Sequence, residues 1–478
     1  MKIKTSICLL LIIVMLFASC SPGAAASASP TTVPETPSAT ATLEPTVPSA
    51  SAAIEPTQNT DKIINVYAIS GEILGIIGKF LELHPDFTYT INRVLPEIDA
   101  NNTVVPVSSL DHALSGSGAP DVYLAEAEIV TRYTQGEMSG YALSYEDLGI
   151  DVRTKIAEAD IAQYTVDIGT RPCDNAVVGL SYKSSGGAFL YRRSIAKKVW
   201  GTDDPEKIAS KIGPGWDRFF EAAEDLKKEG YSIVSGDGVV WYAAGGSIGS
   251  GWIVNGKLNI SPERIAFMDY SKELIEKGYS RGNHEYTDAW RSDMLGTGEQ
   301  PVFGFFATAW MVNNVVALEC GDTFGDWAVC EPPVGFIWPG NSKWVLVNKA
   351  LENDPEKKAA VAELVEWMTL DCTEEGLQFF IASGSLFAGG VKNETVASGT
   401  VMALADGKLD MLSGQNMYDV YRSSSDSISG VDVTEYDAII DNLWREAAGK
   451  YSHGECTRDE AIAAFKQDVK ERFGYDAW

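Results

Sequence analysis

Residues 62–84 read KIINVYAISGEILGIIGKFLELH, an apolar run followed directly by a periodic one. The first part, 62–69, is rich in β-branched residues and predicts a strand. In the second part, 72–84, apolar residues recur at helical spacing, which predicts a helix whose buried face carries Ile73, Ile77, Phe80 and Leu81. A strand that leads through a short turn into a helix is the start of a βαβ unit, so this stretch favours an α/β sheet.

The rest of the chain continues this alternation. Residues 119–125 (APDVYLA) and 176–182 (AVVGLSY) predict further strands, and 215–230 predicts a helix that ends at a Gly. Later helices are marked by N-cap residues before Pro and by one capping box, at Ser261-Pro262, Asp354-Pro355 and Thr457 with Glu460. Strands separated by helices of this length predict mostly parallel sheets.

Length and charge narrow the class of protein. A chain of 478 residues exceeds one ordinary core, so two α/β lobes are expected. Lys and Arg number 38 against 66 Asp and Glu, a formal net charge of -28. Such a surface repels phosphate backbones and anionic headgroups, so we expect no nucleic-acid partner and a neutral or cationic ligand. The same negative charge could equally serve to keep the protein soluble.

The N-terminus has the pattern of an export signal. Lys2 and Lys4 precede an apolar run, 7–17, that is too short to span a bilayer comfortably. Small residues before Cys20 resemble the bacterial lipobox, although Phe17 departs from its usual pattern. The resemblance implies a signal peptide at 1–19 and a lipid on Cys20, which would hold the protein on the extracytoplasmic face of the cell membrane. An ordinary signal cleaved elsewhere is the alternative.

Residues 20–60 follow as a tether. From 21 to 60 the segment is built mainly of Ala, Ser, Thr and Pro, and it contains no Lys or Arg. Such a composition buries too little apolar surface to offset chain entropy, so a disordered linker is expected.

Cysteine and histidine give no metal pattern. The five Cys after the linker form no CxxC pair, and the four His are scattered singly. A Cys320–Cys330 disulfide and free buried thiols both remain open. We therefore expect neither a metal site nor a cofactor.

Catalytic motifs are weak. Gly245 to Gly249 matches the G-x-S-x-G pattern around Ser247, and the strand-like 239–245 precedes it, but a Gly-rich stretch follows where a nucleophile elbow needs a helix. Ser194 and Lys197 match S-x-x-K without its companion motifs. A glycosidase carboxylate pair is spatial, so the sequence singles none out.

Several segments resemble, in order, the extracellular solute-binding proteins of ABC sugar importers, the family that includes the maltose-binding type. Residues 65–86 resemble its opening, 115–124 (SGSGAPDVYL) its "PDV" strand, and 175–198 its "G-L-P-Y" and "Y-N-K-x-L" elements. The series continues through later segments to cover nearly all of 62–475, at 216–219, 325–333, 342–348, 373–376, 414–418 and 436–473.

The resemblance implies a periplasmic-binding-protein-like fold of the second type, with two α/β lobes joined by crossing hinge segments and a ligand cleft between them. Boundaries carried over place lobe 1 at 61–183 and 329–388, and lobe 2 at 184–328 and 389–478. It also implies a non-enzymatic monomer that binds a carbohydrate, closes around it and meets the permease subunits of an ABC importer.

Sugar sites combine flat aromatic faces with polar side chains that pair with hydroxyl groups. By resemblance, Trp310 in the stretch 302–314 (VFGFFATAWMVNN) matches the family's aromatic stacker, with Asn313 and Asn314 expected to start the helix behind it. Trp241 and Trp344 are further candidate stacking residues, and packing in the apolar core is the alternative for each.

Polar contacts are implied at four places. After the first strand, Glu72 is the favoured ligand contact. The alternative is that Glu72 only stabilises the start of a helix through the helix dipole. After the PDV strand Glu126 is favoured over Glu128. Ser184 and Ser185 lie at the crossing, and Gln415 and Asn416 lie in a segment that faces the cleft in one subgroup, against a simple turn.

Two classes of function therefore remain. The first is a lipid-anchored carbohydrate receptor for an importer, and the second is a surface-anchored hydrolase or esterase. The same fold could also bind a non-sugar solute or report to a sensor. The chain lacks the ATP-binding pattern G-x-x-x-x-G-K-[ST], so transport energy would come from another chain.

Overall fold

The computed structural model describes residues 62–97, 106–246, 248, 250–298, 300–338, 342–387, 394–426, 428 and 434–475. The predicted signal peptide at 1–19, the lipid site Cys20 and the linker at 20–60 lie outside these residues. Within the described ranges, we find no helix with the length and apolar character that crossing a membrane requires.

Strands and helices alternate along the described chain. The strands are Ile63–Tyr67 (β1), Thr90–Val94 (β2), Val122–Glu126 (β3), Ala142–Leu143 (β4), Thr170–Arg171 (β5), Ala176–Val177 (β6), Gly179–Ser181 (β7), Ala188–Arg192 (β8), Ser232–Val234 (β9), Ile253–Val254 (β10), Lys257–Leu258 (β11), Val302–Ala307 (β12), Trp327–Cys330 (β13), Lys343–Asn348 (β14), Lys408–Leu409 (β15) and Gln415–Asn416 (β16). The helices are Glu72–Leu83 (α1), Pro106–Ser115 (α2), Val130–Thr134 (α3), Val152–Ala159 (α4), Gln163–Ile168 (α5), Arg193–Trp200 (α6), Pro205–Ile212 (α7), Trp216–Lys228 (α8), Val240–Gly246 (α9), Pro262–Glu276 (α10), Asp288–Leu295 (α11), Ala309–Met311 (α12), Ala317–Glu319 (α13), Pro355–Thr369 (α14), Leu377–Ala382 (α15), Gly399–Leu404 (α16), Tyr418–Ser425 (α17), Asp437–Ser452 (α18) and Arg458–Phe473 (α19).

The first sheet has the order β2-β1-β3-β14-β4, with β7 also paired to β14. β1 runs parallel to β2 and β3, as the opening strand and helix predict. β14 runs antiparallel to β3, β4 and β7. The register of β14 on β3 sets Lys343 opposite Glu126.

The second sheet has the order β13-β8-β12-β9. Only β12 and β9 are parallel, whereas β8 is antiparallel to both of its neighbours. The prediction of mostly parallel sheets is therefore wrong. β14 enters the first sheet after the chain returns from the second sheet, and β8 enters the second sheet from the first, so neither strand arrives by the helical crossover that parallel pairing requires.

Three crossing segments lie side by side between the sheets: 182–187, the connection from β13 to β14, and, as the third, 394–398. Residues 182–187 lead from β7 to β8, and the segment between β13 and β14 leads back. Isolated backbone bridges join Lys183 to Val396 and Gly186 to Ile337. We call the elements around the first sheet the first lobe and those around the second sheet the second lobe. The finer boundaries drawn from the sequence stay a prediction.

Local helix signals are confirmed. Ser261, Asp354 and Thr457 cap α10, α14 and α19 with their side chains, and Thr457 forms the capping box with Glu460. The strand expected at 239–245 is wrong, because these residues form α9. Its valines are followed by two alanines, Ala243 and Ala244, which are strong helix formers.

The apolar core has three parts. One part covers a face of the first sheet and includes Tyr123 and Trp344. A second part covers a face of the second sheet and includes Phe303 and Trp444. The largest part runs from the other face of the first sheet to the other face of the second, and α16 and α17 contribute to it. The two lobes thus share buried surface behind the crossing segments.

Candidate functional site

A small pocket lies where β1 and β3 end, at the edge of the first sheet. Side chains from both strand ends, from α1 and from β14 form its walls: Ala68, Ile69, Ser70, Glu72, Ile73, Leu124, Glu126, Tyr182 and Lys343. The carboxyl ends of parallel strands meet at one edge, which is where open α/β sheets bind ligands. The cavity itself holds about 10 Å³, room for about one water molecule and far below the usual range for a ligand site, so it can form only one wall of a larger site.

Glu72 is held by two lysines. One of its oxygens lies 2.6 Å from Lys183 Nζ, and the other lies 3.3 Å from Lys343 Nζ and accepts a hydrogen bond from Tyr182 at 3.4 Å. Burial alone would raise the pKa of Glu72, but Lys183 and Lys343 outweigh it and lower that pKa to about 2. Glu72 is therefore ionised at neutral pH, with both oxygens already engaged.

Lys183 extends this network to a third crossing segment. Its Nζ lies 2.7 Å from Glu394, and its side chain is only 4% exposed. Burial disfavours the ammonium, yet Glu394 and Glu72 together raise the pKa of Lys183 above its ordinary value. The ionic network of Glu72, Lys183, Lys343 and Glu394 therefore ties α1 and β14 to two crossing segments.

The carboxylates after β3 differ in exposure. Glu126 is the last residue of β3, is half-buried and lines the pocket. Glu128 lies in the exposed turn that follows. Partial desolvation, and then the charge of Glu126, raise the pKa of Glu128. The structure thus brings Glu126 and Glu72 to one pocket, while a ligand contact by either residue stays a prediction.

Ser185 is fully buried in a hydroxyl network. Its backbone N–H donates to Tyr164 Oη at 3.0 Å, and Ser342 Oγ donates to its side chain at 2.8 Å. Ser184 Oγ lies 3.1 Å from the same Tyr164 hydroxyl. These contacts hold the first two crossing segments against α5, which accounts for the serines without a ligand.

Trp310 lies in α12, which begins one residue after β12 and is capped by Thr308. The indole is half-buried and packs against the shared core. All six residues of β12 are buried, as the apolar stretch predicts. The helix starts before Asn313 and Asn314, since both lie in the π-helical turn Val312–Val316 that follows α12. Trp310 keeps part of its face at the surface.

The other two candidate stackers are core residues. Trp344 has no exposed surface, and its Nε1–H donates to the Thr165 carbonyl at 2.9 Å. Trp241 is 2% exposed, and its ring centroid lies 5.0 Å from that of Phe267. A ring enclosed on both faces has no side left for a sugar, so the structure favours core packing for both.

Gln415 and Asn416 form one strand of the β15–β16 hairpin. The Gln415 side chain accepts from the Val329 N–H at 2.9 Å and donates to the Val329 carbonyl at 2.7 Å, which ties the hairpin to β13. Asn416 accepts from the Tyr418 N–H at 3.1 Å at the start of α17. These bonds support the turn alternative.

The sequence missed a polar and aromatic cluster at the junction of the lobes. We call it the junction cluster and define it as Tyr242, Glu285, Trp338 and Arg445. Trp338 follows β13 in the second crossing segment and packs against the cores of both lobes. Its ring lies 4.5 Å from that of Tyr242, between centroids.

Arg445 on α18 holds this cluster together. It donates to Tyr242 Oη at 2.8 Å and to Glu285 at 2.6 Å. Burial would lower the pKa of Arg445, but the nearby Tyr242 and Glu285 raise it. The four residues come from four segments that lie far apart in the sequence. Only Trp338, an aromatic residue followed by Pro and Gly, could have drawn attention in the sequence.

The catalytic and disulfide patterns noted in the sequence gain no support from the described residues. Ser247 lies outside the described residues, and the segment before it is a helix where a nucleophile elbow requires a strand. Cys320 and Cys330 are both free and buried in different parts of the core, which rules out the disulfide between them. Among the residues that the structure describes, no group of His, Cys, Asp and Glu could hold a metal ion.

Comparison with known proteins gives a fold. No protein-family model matches the sequence. No curated protein sequence matches it either. Solved structures do match: one described as an extracellular solute-binding protein family 1 has a TM-score of 0.68 at 16% identity, over 86% of this chain and 99% of its own.

Two further structures agree. The galacto-N-biose/lacto-N-biose I-binding protein of the ABC transporter from Bifidobacterium longum, in complex with lacto-N-biose, has a TM-score of 0.60 at 15% identity, over 87% of this chain and 98% of its own. The sugar-binding protein MalE from Xanthomonas citri has a TM-score of 0.60 at 12% identity, over 86% and 97%.

The protein therefore has a periplasmic-binding-protein-like fold of the second type, which confirms the fold predicted from the sequence. Within that class its structure is similar to the MalE-like extracellular solute-binding proteins.

Proposed function

We propose that the protein is a solute-binding protein that captures a carbohydrate, most simply an oligosaccharide, between its lobes and delivers it to the permease of an ABC importer. The observation that carries this proposal is the near-complete coverage of solved sugar-binding structures. Chains described as binding lacto-N-biose and as the sugar-binding protein MalE are covered over 97 to 98% of their length.

The charges around the candidate site support a neutral ligand. Lys183, Lys343 and Arg445 each face a carboxylate among the described residues. Cations that are already neutralised are poor partners for a phosphate or a free carboxylate. Half-buried Trp310 and Trp338 can offer flat apolar faces, which suit the C–H faces of a pyranose.

The test is a thermal-shift screen with a panel of neutral oligosaccharides, anionic sugars, peptides and polyamines. A ligand at 100 times its Kd should stabilise the protein by about 2.7 kcal/mol. The bound sugar should be recovered intact, since a hydrolase or esterase would cleave it. Stabilisation by a peptide or polyamine alone, or turnover of the sugar, would contradict the proposal.

Trp310 is the residue that we propose stacks on the sugar. Trp310→Ala should abolish most of the ligand-induced shift and change unliganded stability little. Trp200 is a matched control, because it is also half-buried and its Nε1–H donates to Asp225 on α8. Trp200→Ala should keep the ligand shift. A loss of about 3 to 5 kcal/mol in unliganded Trp310→Ala would instead assign Trp310 to the core.

We further propose that the mature chain is anchored to the outer face of the cell membrane by lipid on Cys20, acts as a monomer and reaches its ligand on the tether of 20–60. The composition of 21–60 supports the tether, and the lipobox-like residues before Cys20 support the anchor. A sensor role for the same receptor would appear as a kinase partner in place of a permease in a pull-down from membranes.

A further inference from the structure

Arg132 and Glu435 form an ion pair between segments that are far apart in sequence. Arg132 Nη1 lies 2.6 Å from Glu435 Oε2. The two side chains are only 20% and 10% exposed. Partial burial reduces solvent screening, so this pair can contribute more than a typical surface pair.

The arginine end belongs to the first lobe. Arg132 lies on α3, directly after β3, and its Nε and Nη2 donate to Asp111 on α2 at 2.9 to 3.2 Å. Tyr133, the next residue, donates to the same Asp111 and packs in the core of the first sheet beside Tyr123. These contacts fix the guanidinium to the first sheet.

The glutamate end belongs to the second lobe. Tyr436, the next residue, packs its ring 5.3 Å from Phe473 and 5.8 Å from Tyr475. The helix that begins one residue later is α18, and its Trp444 lies in the core of the second sheet. Glu435 therefore moves with α18 and α19.

One guanidinium here faces three carboxylates. Asp111 and Glu137 belong to the first lobe with Arg132, and Glu137 lies 3.2 Å from Nη1 with a side chain that is 68% exposed. Glu435 alone comes from the second lobe. Loss of the arginine would leave like charges on both sides of this contact, and these would push the lobes apart.

We propose that the Arg132–Glu435 ion pair is a latch that holds the two lobes together. The neighbouring residues Tyr133 and Tyr436 pack with the separate cores of the first and second sheets and not with the shared core, so the ion pair can change lobe separation while the shared core stays intact. Because it is an ion pair, its strength falls as the salt concentration rises. The proposal rests on the fold alone and needs no particular ligand.

The experiment measures lobe separation in the unliganded protein by small-angle X-ray scattering. Glu435→Gln should increase the radius of gyration, and Arg132→Met should increase it further. Glu137→Gln is the matched control, because it removes a carboxylate from the same guanidinium without touching the second lobe, and it should match wild type. Raising NaCl from about 0.05 to 0.5 M should open wild type and leave Glu435→Gln unchanged.

Ligand affinity gives a second readout where a carbohydrate binds. An opened resting state lowers the fraction of competent protein, so Glu435→Gln should weaken binding about three- to tenfold while Glu137→Gln should not. The proposal is overturned if Glu435→Gln and Glu137→Gln give the same radius of gyration as wild type at low salt. If no carbohydrate in the panel binds, the proposed function fails, and the scattering result still decides on the latch.

Discussion

The ionic network at the candidate pocket makes a quantitative prediction for Glu72→Gln. The surrounding lysines lower the pKa of Glu72 from 4.5 to about 2. Each tenfold change in proton affinity corresponds to about 1.4 kcal/mol, so the ionised carboxylate contributes about 3 kcal/mol to stability at pH 7. Removing one member of a buried ion pair costs about 3 to 5 kcal/mol, which agrees in size.

The pH dependence follows from the sign of the shift. A carboxylate whose folded pKa is lowered stabilises the protein above its unfolded pKa, and this stabilisation disappears as the pH falls through the folded pKa. Wild type and Glu72→Gln should therefore differ by about 3 kcal/mol at pH 7 and converge between pH 5 and pH 2. Urea titrations followed by tryptophan fluorescence at several pH values measure this difference.

Glu82→Gln is the matched control on the same helix. Glu82 lies 2.7 Å from Lys79 but is 66% exposed, so its loss should cost less than about 0.5 kcal/mol. If Glu72→Gln loses no more stability than Glu82→Gln, or if its deficit does not change with pH, the lysines do not hold the carboxylate as described. Retained stability with lost sugar binding would instead make Glu72 a ligand contact.

Three further changes test other parts of the protein. Trp344→Ala should cost about 3 to 5 kcal/mol in urea unfolding, because it empties a buried site; a loss below 1 kcal/mol would contradict core packing. Asp437→Asn should raise the melting temperature more at pH 8 than at pH 5. Burial, and then the charge of Asp441, raise the pKa of Asp437 to about 7, so the folded protein loses stability as the pH rises from 4 to 7. An equal gain in melting temperature at both pH values would refute this prediction. Cys20→Ala should release the protein into the medium or leave it unprocessed, and unchanged lipid labelling would disprove the anchor.

Local features of the fold could be predicted because local residues determine them. The periodic run of α1 and the caps at Ser261 and Thr457 depend on neighbours within one or two turns, and all of them are present in the structure. The antiparallel strand β14 could not be predicted in this way. Its partner β3 lies far away in sequence, and only the return of the chain from the second lobe sets its direction.

The candidate site residues could be predicted only where the end of a strand determines their position. Glu72 lies shortly after β1 and Glu126 ends the adjacent parallel strand β3, so the strand-end rule brings them to one pocket. The rule says nothing about partners, and Lys183 and Lys343 arrive from other segments to engage Glu72. The burial of Trp344 favours its core-packing alternative, and the sequence could not decide this because burial depends on what covers both faces of a sheet.

The two ionic contacts join different elements of the fold. The network around Lys183 fixes two crossing segments to α1 and β14 of the first lobe. Gly187 is tightly constrained, because a Cβ there would meet the Phe336 ring at 1.9 Å. The first crossing segment is thus held by ion pairs at Lys183 and closely packed at Gly187. The proposed latch shares no residue with this network, and its single cation faces carboxylates of both lobes, which offsets part of their repulsion in a protein with a formal net charge of -28.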